Sequence, residues 1–227
     1  MIITIDGPAG SGKSTAARKL AARLEIPYLD TGAMYRALAY AALQRGADMR
    51  KEANLLEVAQ TATLEVDCGP THTRVRVDGH DVSEALRDPR VSEVTAFVAR
   101  VQGIRDLLVR KQREIAAELG SLVTEGRDQG SVVFPDADVH FVLDASLERR
   151  AERRMHEMIA DGHEVTFAWV SENLQTRDGI DSRQWLPLLA SGRAIIIDTT
   201  DLKLSEVVDR LEAEVRSRCR TTAAHSG

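Results

Sequence analysis

Ile2, Ile3, Thr4 and Ile5 form a β-branched run of the kind that fills a buried strand. A glycine-rich stretch follows at once, and then Ala16, Ala17, Leu20, Ala21 and Leu24 recur at spacings of three and four, which predicts an amphipathic helix. The chain therefore opens as strand, loop, helix. Short apolar runs return at 122–124, 140–143 and 194–197, with long helical patterns over 104–119 and 147–159 between them. Strands alternating with helices predict an α/β fold, a parallel sheet with helices on both faces. The period changes at 63–66 and 74–77, where apolar and polar residues alternate around Asp67-Cys68-Gly69-Pro70-Thr71. That alternation predicts an antiparallel hairpin, and we read residues 60–100 as an insertion. Residues 156–166, with Gly162 and many charges, carry little apolar periodicity and read as a mobile lid. The end after Arg218 reads as frayed, and no repeat at solenoid periods is visible.

Composition narrows the picture only in part. With 227 residues, 43% of them hydrophobic and 29% charged, the chain suits one globular domain with a sizeable core. Its net charge of −5 gives no overall field that would draw a nucleic-acid backbone, so an anionic ligand must be met by local arginines. No apolar run approaches the roughly 18 residues of a membrane helix, and the first residues lack the basic region of a secretory signal. A cytoplasmic protein with no membrane or nucleic-acid partner is expected. Cys68 and Cys219 have no Cys-x-x-Cys spacing and the histidines are scattered, so neither a disulfide framework nor a zinc site is expected. A monomer is the default expectation, which no heptad and no large apolar surface run contradicts.

Gly7-Pro8-Ala9-Gly10-Ser11-Gly12-Lys13-Ser14 satisfies G-x-x-x-x-G-K-[ST] in full, after a strand and at the opening of a helix. A chance glycine-rich turn is the competing reading, and the complete pattern with its flanks disfavours it. In the functional reading the glycines let backbone N–H groups converge on a phosphate, and the helix N-terminus adds partial positive charge. Lys13 reaches the β- and γ-phosphates, the Ser14 hydroxyl ligates Mg²⁺, and Thr15 completes the ATP-binding segment. Such a P-loop is shared by GTPases, motor ATPases and small-molecule kinases. The chain has no Asn-Lys-x-Asp guanine motif and no hydrophobic strand ending in Asp-Glu, so a small-molecule kinase fits by elimination.

Three arginine clusters support that choice. They are Asp30-Thr31-Gly32-Ala33-Met34-Tyr35-Arg36, Glu125-Gly126-Arg127-Asp128 and Arg177-Asp178-Gly179-Ile180-Asp181-Ser182-Arg183. Phosphoryl transfer needs several cations around the moving group and the acceptor phosphate. Any one arginine can be a solvated surface residue, but three clusters expected at strand ends fit the place where such sheets bind ligands. Arg150 and Arg154 stand four apart on the helix after Asp144-Ala145-Ser146, so both are expected on one face towards the lid. There they either grip the nucleotide or, with Glu148, Arg149, Glu152 and Arg153, form a charge-paired exposed helix.

The segments Ile3-Thr4-Ile5-Asp6 with the P-loop, Leu29-Asp30-Thr31-Gly32-Ala33-Met34-Tyr35-Arg36, and Glu125-Gly126-Arg127-Asp128-Gln129-Gly130-Ser131-Val132-Val133-Phe134-Pro135-Asp136-Ala137 resemble, in order and spacing, the bacterial cytidylate (CMP/dCMP) kinases. The resemblance spans nearly the whole chain. It implies a P-loop NTPase-type parallel sheet in a single domain over 1–227, with a monophosphate-binding subdomain at about 31–105 that includes the hairpin insertion and a short lid at about 154–170; residues 219–227 are expected to be a disordered tail. It implies transfer of the γ-phosphoryl group of ATP to CMP or dCMP with Mg²⁺. Lys13, Arg127, Arg154 and Arg183 would be catalytic, and Arg150 would help bind ATP. Thr31, Arg36 and Arg127 would hold the acceptor phosphate side, Arg105 and Asp128 would read the cytosine, and Arg177 and Asp181 would contact the sugar. Physical chemistry agrees: a carboxylate accepts from the cytosine amino group, which uracil lacks.

The chain also departs from the family. Ala96 stands where the family carries Ser, and Gln102-Gly103-Ile104-Arg105 replaces Pro-x-Val-Arg. Asp181-Ser182-Arg183 is one residue shorter than the family's spacing, and counting back from Pro187-Leu188 makes Arg183 the matching arginine. The expected mechanism is in-line transfer with no covalent intermediate and no general base, with closure of the subdomain and lid excluding water. Two rivals remain open: a kinase of this architecture acting on UMP, a modified cytidylate or shikimate, and a P-loop module that binds nucleotide without turnover. The arginine clusters argue against the second.

Overall fold

The computed structural model describes the backbone of residues 1–160 and 162–225, and the side chains of these except 180–183 and 219–225. The elements run β1 (Ile2–Asp6), α1 (Lys13–Leu24), β2 (Tyr28–Asp30), α2 (Thr31–Gln44), α3 (Glu52–Thr61), β3 (Leu64–Cys68), β4 (Thr73–Val77) and β5 (His80–Asp81). They continue with α4 (Pro89–Arg100), α5 (Gln102–Leu119), β6 (Leu122–Glu125), a π-helical turn (Gln129–Val133), β7 (Val139–Asp144), α6 (Leu147–Ala160), α7 (Phe167–Ala190), β8 (Ala194–Asp198) and α8 (Leu204–His225). No described helix is long and apolar enough to cross a membrane. The chain divides into two compact units, one of Met1–Ile26 with Val123–Gly227 and one of Pro27–Leu122.

The first unit is built on strands in the order β6-β1-β7-β8. β1 and β7 are parallel with Ile3 opposite Val139 and Ile5 opposite Phe141, and β7 and β8 are parallel with Val142 opposite Ile196. Side chains alternate along β1, so Ile3 and Ile5 share one face and Thr4 and Asp6 the other, and all four are 0% exposed. A strand covered on both faces is what a central parallel position demands. The apolar stripe of α1 is Ala16, Ala17, Leu20 and Ala21. α1 packs on α8, where Val207, Val208, Leu211 and Val215 are buried. Arg23 bonds Asp209 and Glu212 at the rim of that contact. α6 and α7 close over the glycine-rich loop through Ala9, Ala151, Val170 and Leu174. The polar face of β1 is also satisfied: Thr4 Oγ1 and His140 Nδ1 lie 3.0 Å apart, and burial holds the His140 pKa below its ordinary value.

The second unit carries the antiparallel hairpin, with Leu64 opposite Val77, Val66 opposite Val75 and Cys68 opposite Thr73, and β5 added beside β4. Asp30 caps α2 by accepting the Ala33 N–H at 2.9 Å. α2 buries Ala33, Met34, Ala37, Leu38 and Ala41, and α4 packs on it. α4 starts with Asp88 as its cap and Pro89 at its first position, where a missing N–H costs nothing.

The strands expected at 122–124, 140–143 and 194–197 are β6, β7 and β8. The cluster at 177–183 stands elsewhere than the sequence reading put it, and two further spans are helical. Residues 177–183 lie inside the 24-residue α7 and at no strand end, because the apolar residues flanking that cluster sit on one helix that buries Val170, Leu174, Trp185 and Leu188. Residues 154–160 continue α6, held by Met155 and Met158 against its core. α8 runs to His225, so the backbone is helical over 219–225, while 226–227 lie outside the described residues. The second unit reaches from Pro27 to Leu122 and contains all of α5.

Phe141 is 0% exposed at the middle of the sheet. Phe141→Ala is expected to destabilise the protein by about 3–5 kcal/mol, read as a lower urea midpoint at an unchanged m-value.

Candidate active site

The loop between β1 and α1 takes its shape from glycine. Gly7 has φ 143°, and a Cβ there would stand 2.1 Å from the Leu143 carbonyl oxygen. Gly12 has φ 85° and occupies the N-cap of α1 with no side-chain cap bond. A helix start with no capping side chain offers its N–H groups and positive dipole end to an anion. Lys13 is 6% exposed, and its Nζ donates to the Pro8 carbonyl at 3.1 Å. Ser14 Oγ donates to Glu125 Oε1 at 2.8 Å, joining the loop to the end of β6. The Ser11 hydroxyl is buried with no hydrogen-bond partner among the described residues.

The segment after β6 is tied to the same loop. Arg127 Nη1 donates to the Gly7 carbonyl at 3.1 Å. The N–H groups of Gln129 and Gly130 donate to the two Asp6 oxygens at 2.9 and 2.7 Å. Burial pushes the Asp6 carboxyl up to about 7, the two N–H bonds and the Lys13 charge work against that rise, and the Asp128 charge adds to it.

The arginines of α6 divide by depth. Arg150 is buried: Nε donates to the Ala145 carbonyl at 2.9 Å, Nη1 to the Ala9 carbonyl at 3.2 Å, and both terminal nitrogens bond Asp178 at 3.0 and 2.6 Å. Arg154, one turn on, is 41% exposed and pairs with Glu157 at 3.2 Å. The expectation that Arg150 and Arg154 both project towards a lid is therefore corrected: the helix buries Arg150 against Asp178 of α7 and leaves Arg154 in solvent. Between them Arg153 donates to Thr199, whose hydroxyl donates to the Ser11 carbonyl at 3.1 Å. Arg149, Arg153, His156, Thr200, Leu202 and Lys203 border an open cavity of about 310 Å³ beside this link.

In the second unit Arg36 Nη2 donates to Asp30 Oδ2 at 2.8 Å, and Thr31 is buried in the first turn of α2. Arg105 lies in the first turn of α5. Thr95, beside Ala96, donates its hydroxyl to the Val91 carbonyl at 2.7 Å and is committed to its own helix. In the first unit Arg177 is exposed on α7 and Asp128 is buried. Asp181 and Arg183 belong to the α7 backbone, and their side chains lie outside the described residues.

Sequence reasoning assigned no role to Asp6, Arg153 or Asp178, nor to Glu125. A carboxylate ending a strand with no other charged residue was the available signal for Asp6. Nothing local marks Asp178, which meets Arg150 across 28 positions of chain.

The family described as cytidylate kinase matches residues 3–217. A cytidylate kinase of Caldanaerobacter subterraneus subsp. tengcongensis is 45% identical over 219 residues, covering 96% of each chain. A bifunctional pantoate ligase/cytidylate kinase of Synechococcus sp. is 42% identical over 99% of this chain, which spans 42% of that protein. Among solved structures, a shikimate kinase of Bacteroides thetaiotaomicron superposes with a TM-score of 0.50 at 14% identity, over 95% of this chain and 98% of that one. It shares the fold.

Arg150→Met is expected to lower stability by about 3–5 kcal/mol, since it leaves Asp178 without its cation and two carbonyls without donors. Arg154→Ala, removing an exposed pair, is expected to change it by less than about 0.5 kcal/mol. Thermal and urea denaturation of both variants measure the contrast.

Asp6 adds a pH signature. Its folded-state pKa of about 7 lies above the ordinary 3.8, so its contribution to stability is full below about pH 4 and lost as pH rises through 7. The stability of the wild type relative to Asp6→Asn is expected to fall between about pH 4 and about pH 7 and then level off, read from urea midpoints across that range. A constant difference would contradict it.

Proposed function

This chain belongs to the cytidylate kinase family, and from that premise we propose that it transfers the γ-phosphoryl group of ATP to CMP or dCMP, releasing ADP and CDP or dCDP. The observation that carries the reading is the union, in one unit, of the cradle at Gly7–Ser14 with Arg127, whose guanidinium is fixed on the Gly7 carbonyl. A module that only binds ATP has no use for that second cation.

Backbone N–H groups of the loop and the start of α1 hold the ATP phosphates, and Lys13 leaves the Pro8 carbonyl to meet the β- and γ-phosphates. The Ser14 hydroxyl and the Glu125 carboxylate are hard oxygen donors 2.8 Å apart, a set that fits Mg²⁺. When bound there, the ion would neutralise charge on the triphosphate oxygens. The cavity bordered by Arg149 and Arg153 is linked to the loop through Thr199, and we assign it to the nucleoside end of ATP. That takes over the role first given to Arg150, whose donors are spent on the Ala9 and Ala145 carbonyls and on Asp178. Arg154, exposed and in a weak surface pair, stays available to the transferred group.

Arg127 meets the acceptor phosphate and Asp128 accepts from the cytosine amino group, with Arg177 and Asp181 at the sugar and Arg183 at the transferred phosphoryl. For Thr31, Arg36 and Arg105 we keep the acceptor roles that membership of the family implies. The acceptor phosphate, ionised at neutral pH, is its own nucleophile, so transfer proceeds by positioning and charge stabilisation without a general base. We propose a Mg²⁺-dependent, monomeric, cytoplasmic enzyme of pyrimidine nucleotide metabolism.

ADP formation from ATP and Mg²⁺, with CMP, dCMP, UMP, AMP and shikimate offered in turn, is expected to be fastest with CMP and dCMP and to require an acceptor. Activity confined to another acceptor overturns the substrate assignment, and acceptor-independent ADP release overturns the kinase reading. Lys13→Ala is expected to lower kcat by about 10²–10³.

A further inference from the structure

Asp6 ends β1 at 0% exposure and spends both carboxylate oxygens on one short stretch of chain, the N–H groups of Gln129 and Gly130. Those residues open the π-helical turn Gln129–Val133, whose own cap residue, Asp128, makes no side-chain cap bond. A carboxylate from a distant strand thus does what an N-cap side chain ordinarily does. Gly7, next to Asp6, takes Arg127 Nη1 on its carbonyl. Residues 6 and 7 therefore hold the segment 127–130 twice, its main chain by a carboxylate and its guanidinium by a carbonyl. Two further contacts stop the segment from sliding. Thr124 Oγ1 donates to Gln129 Oε1 at 2.9 Å, and a Cβ on Gly130 would lie 2.7 Å from both His140 Nδ1 and Leu188 Cδ2.

We propose that Asp6 is a positioning residue for phosphoryl transfer, its carboxylate fixing the Arg127–Asp128 segment against the phosphate loop. The proposal rests on the reading that Arg127 meets the acceptor phosphate. Asp6 touches no substrate; it acts through Arg127. Apolar packing alone would fill this position at lower cost, since a buried carboxylate with no cation bonded to it is expensive. What an apolar residue cannot supply is two acceptors aimed at two adjacent N–H groups. Asparagine keeps the shape but has one carbonyl oxygen, and its amide nitrogen would face the second N–H.

The test is a double-mutant cycle of D6N and R127A, measuring kcat/KM for the acceptor that the panel identifies, with ATP Kd titrated for each protein. D6N is expected to lower acceptor kcat/KM about tenfold or more with ATP Kd within about twofold, and to cost less than about twofold once Arg127 is Ala. An equal cost in both backgrounds, or an ATP Kd weakened as much as kcat/KM, overturns the proposal. Amide hydrogen exchange of the wild type tests the contact without any variant. The Gln129 and Gly130 amides are expected to exchange at least about 100-fold more slowly than exposed loop amides, and loop-like rates overturn the proposal. A wild type inactive on CMP and dCMP but active on another acceptor defeats the substrate reading alone, because the cycle and the exchange rates still judge Asp6.

Discussion

β1 must be buried on both faces to sit between β6 and β7, yet its last residue must hand the chain to a loop that binds a charged ligand. The sequence resolves this by giving the two faces different jobs. Ile3 and Ile5 enter the apolar core, while Thr4 shares a hydrogen bond with His140 of β7 and Asp6 accepts two from the turn after β6. Every polar atom placed there needs a partner of fixed geometry. The strand end, the phosphate loop and the Arg127 segment are consequently one rigid body of hydrogen bonds, in which Gly7 is both a turn and an acceptor.

That constraint also sorts the cations. A buried guanidinium must have its donors satisfied or it destabilises the fold. Arg150 meets the requirement with two main-chain carbonyls and Asp178, which makes it a brace between α6, α7 and the phosphate loop. Arg153 braces the far side through Thr199. An arginine held only by an exposed pair, as Arg154 is by Glu157, pays little for its present position and can be redirected by a ligand. With a net charge of −5, attraction for a triphosphate and a monophosphate must come from such local cations and from oriented N–H groups.

Local signals were legible in the sequence where one segment decides the outcome. The β-branched run at 2–5, the glycine pattern at 7–14 and the alternation flanking Gly69-Pro70 each specify their element without outside help, and β1, the loop and the β3–β4 hairpin are found there. α7 escaped because its buried residues, Val170, Leu174, Trp185 and Leu188, are widely spaced among charged ones, so the arginine cluster within it read as a loop. Arg150 and Arg154 show the same limit from the other side. Their spacing on a helix was legible, but the rotation of α6 against α7 decides which is buried, and that depends on residues far along the chain.

An acid buried beneath an anion-binding loop looks misplaced on electrostatic grounds alone. Its charge opposes the ligand, and burial pushes its pKa up to about 7, so ionising it at neutral pH costs stability. The compensation is directional. Two N–H groups converge on Asp6, and those bonds fix a cation, Arg127, whose orientation a core of aliphatic side chains would leave to thermal motion. Phosphoryl transfer gains far more from a cation already in place than from one that must be found and ordered during the reaction. A strand end that is less stable than it could be, and more exactly aimed, is what such chemistry favours.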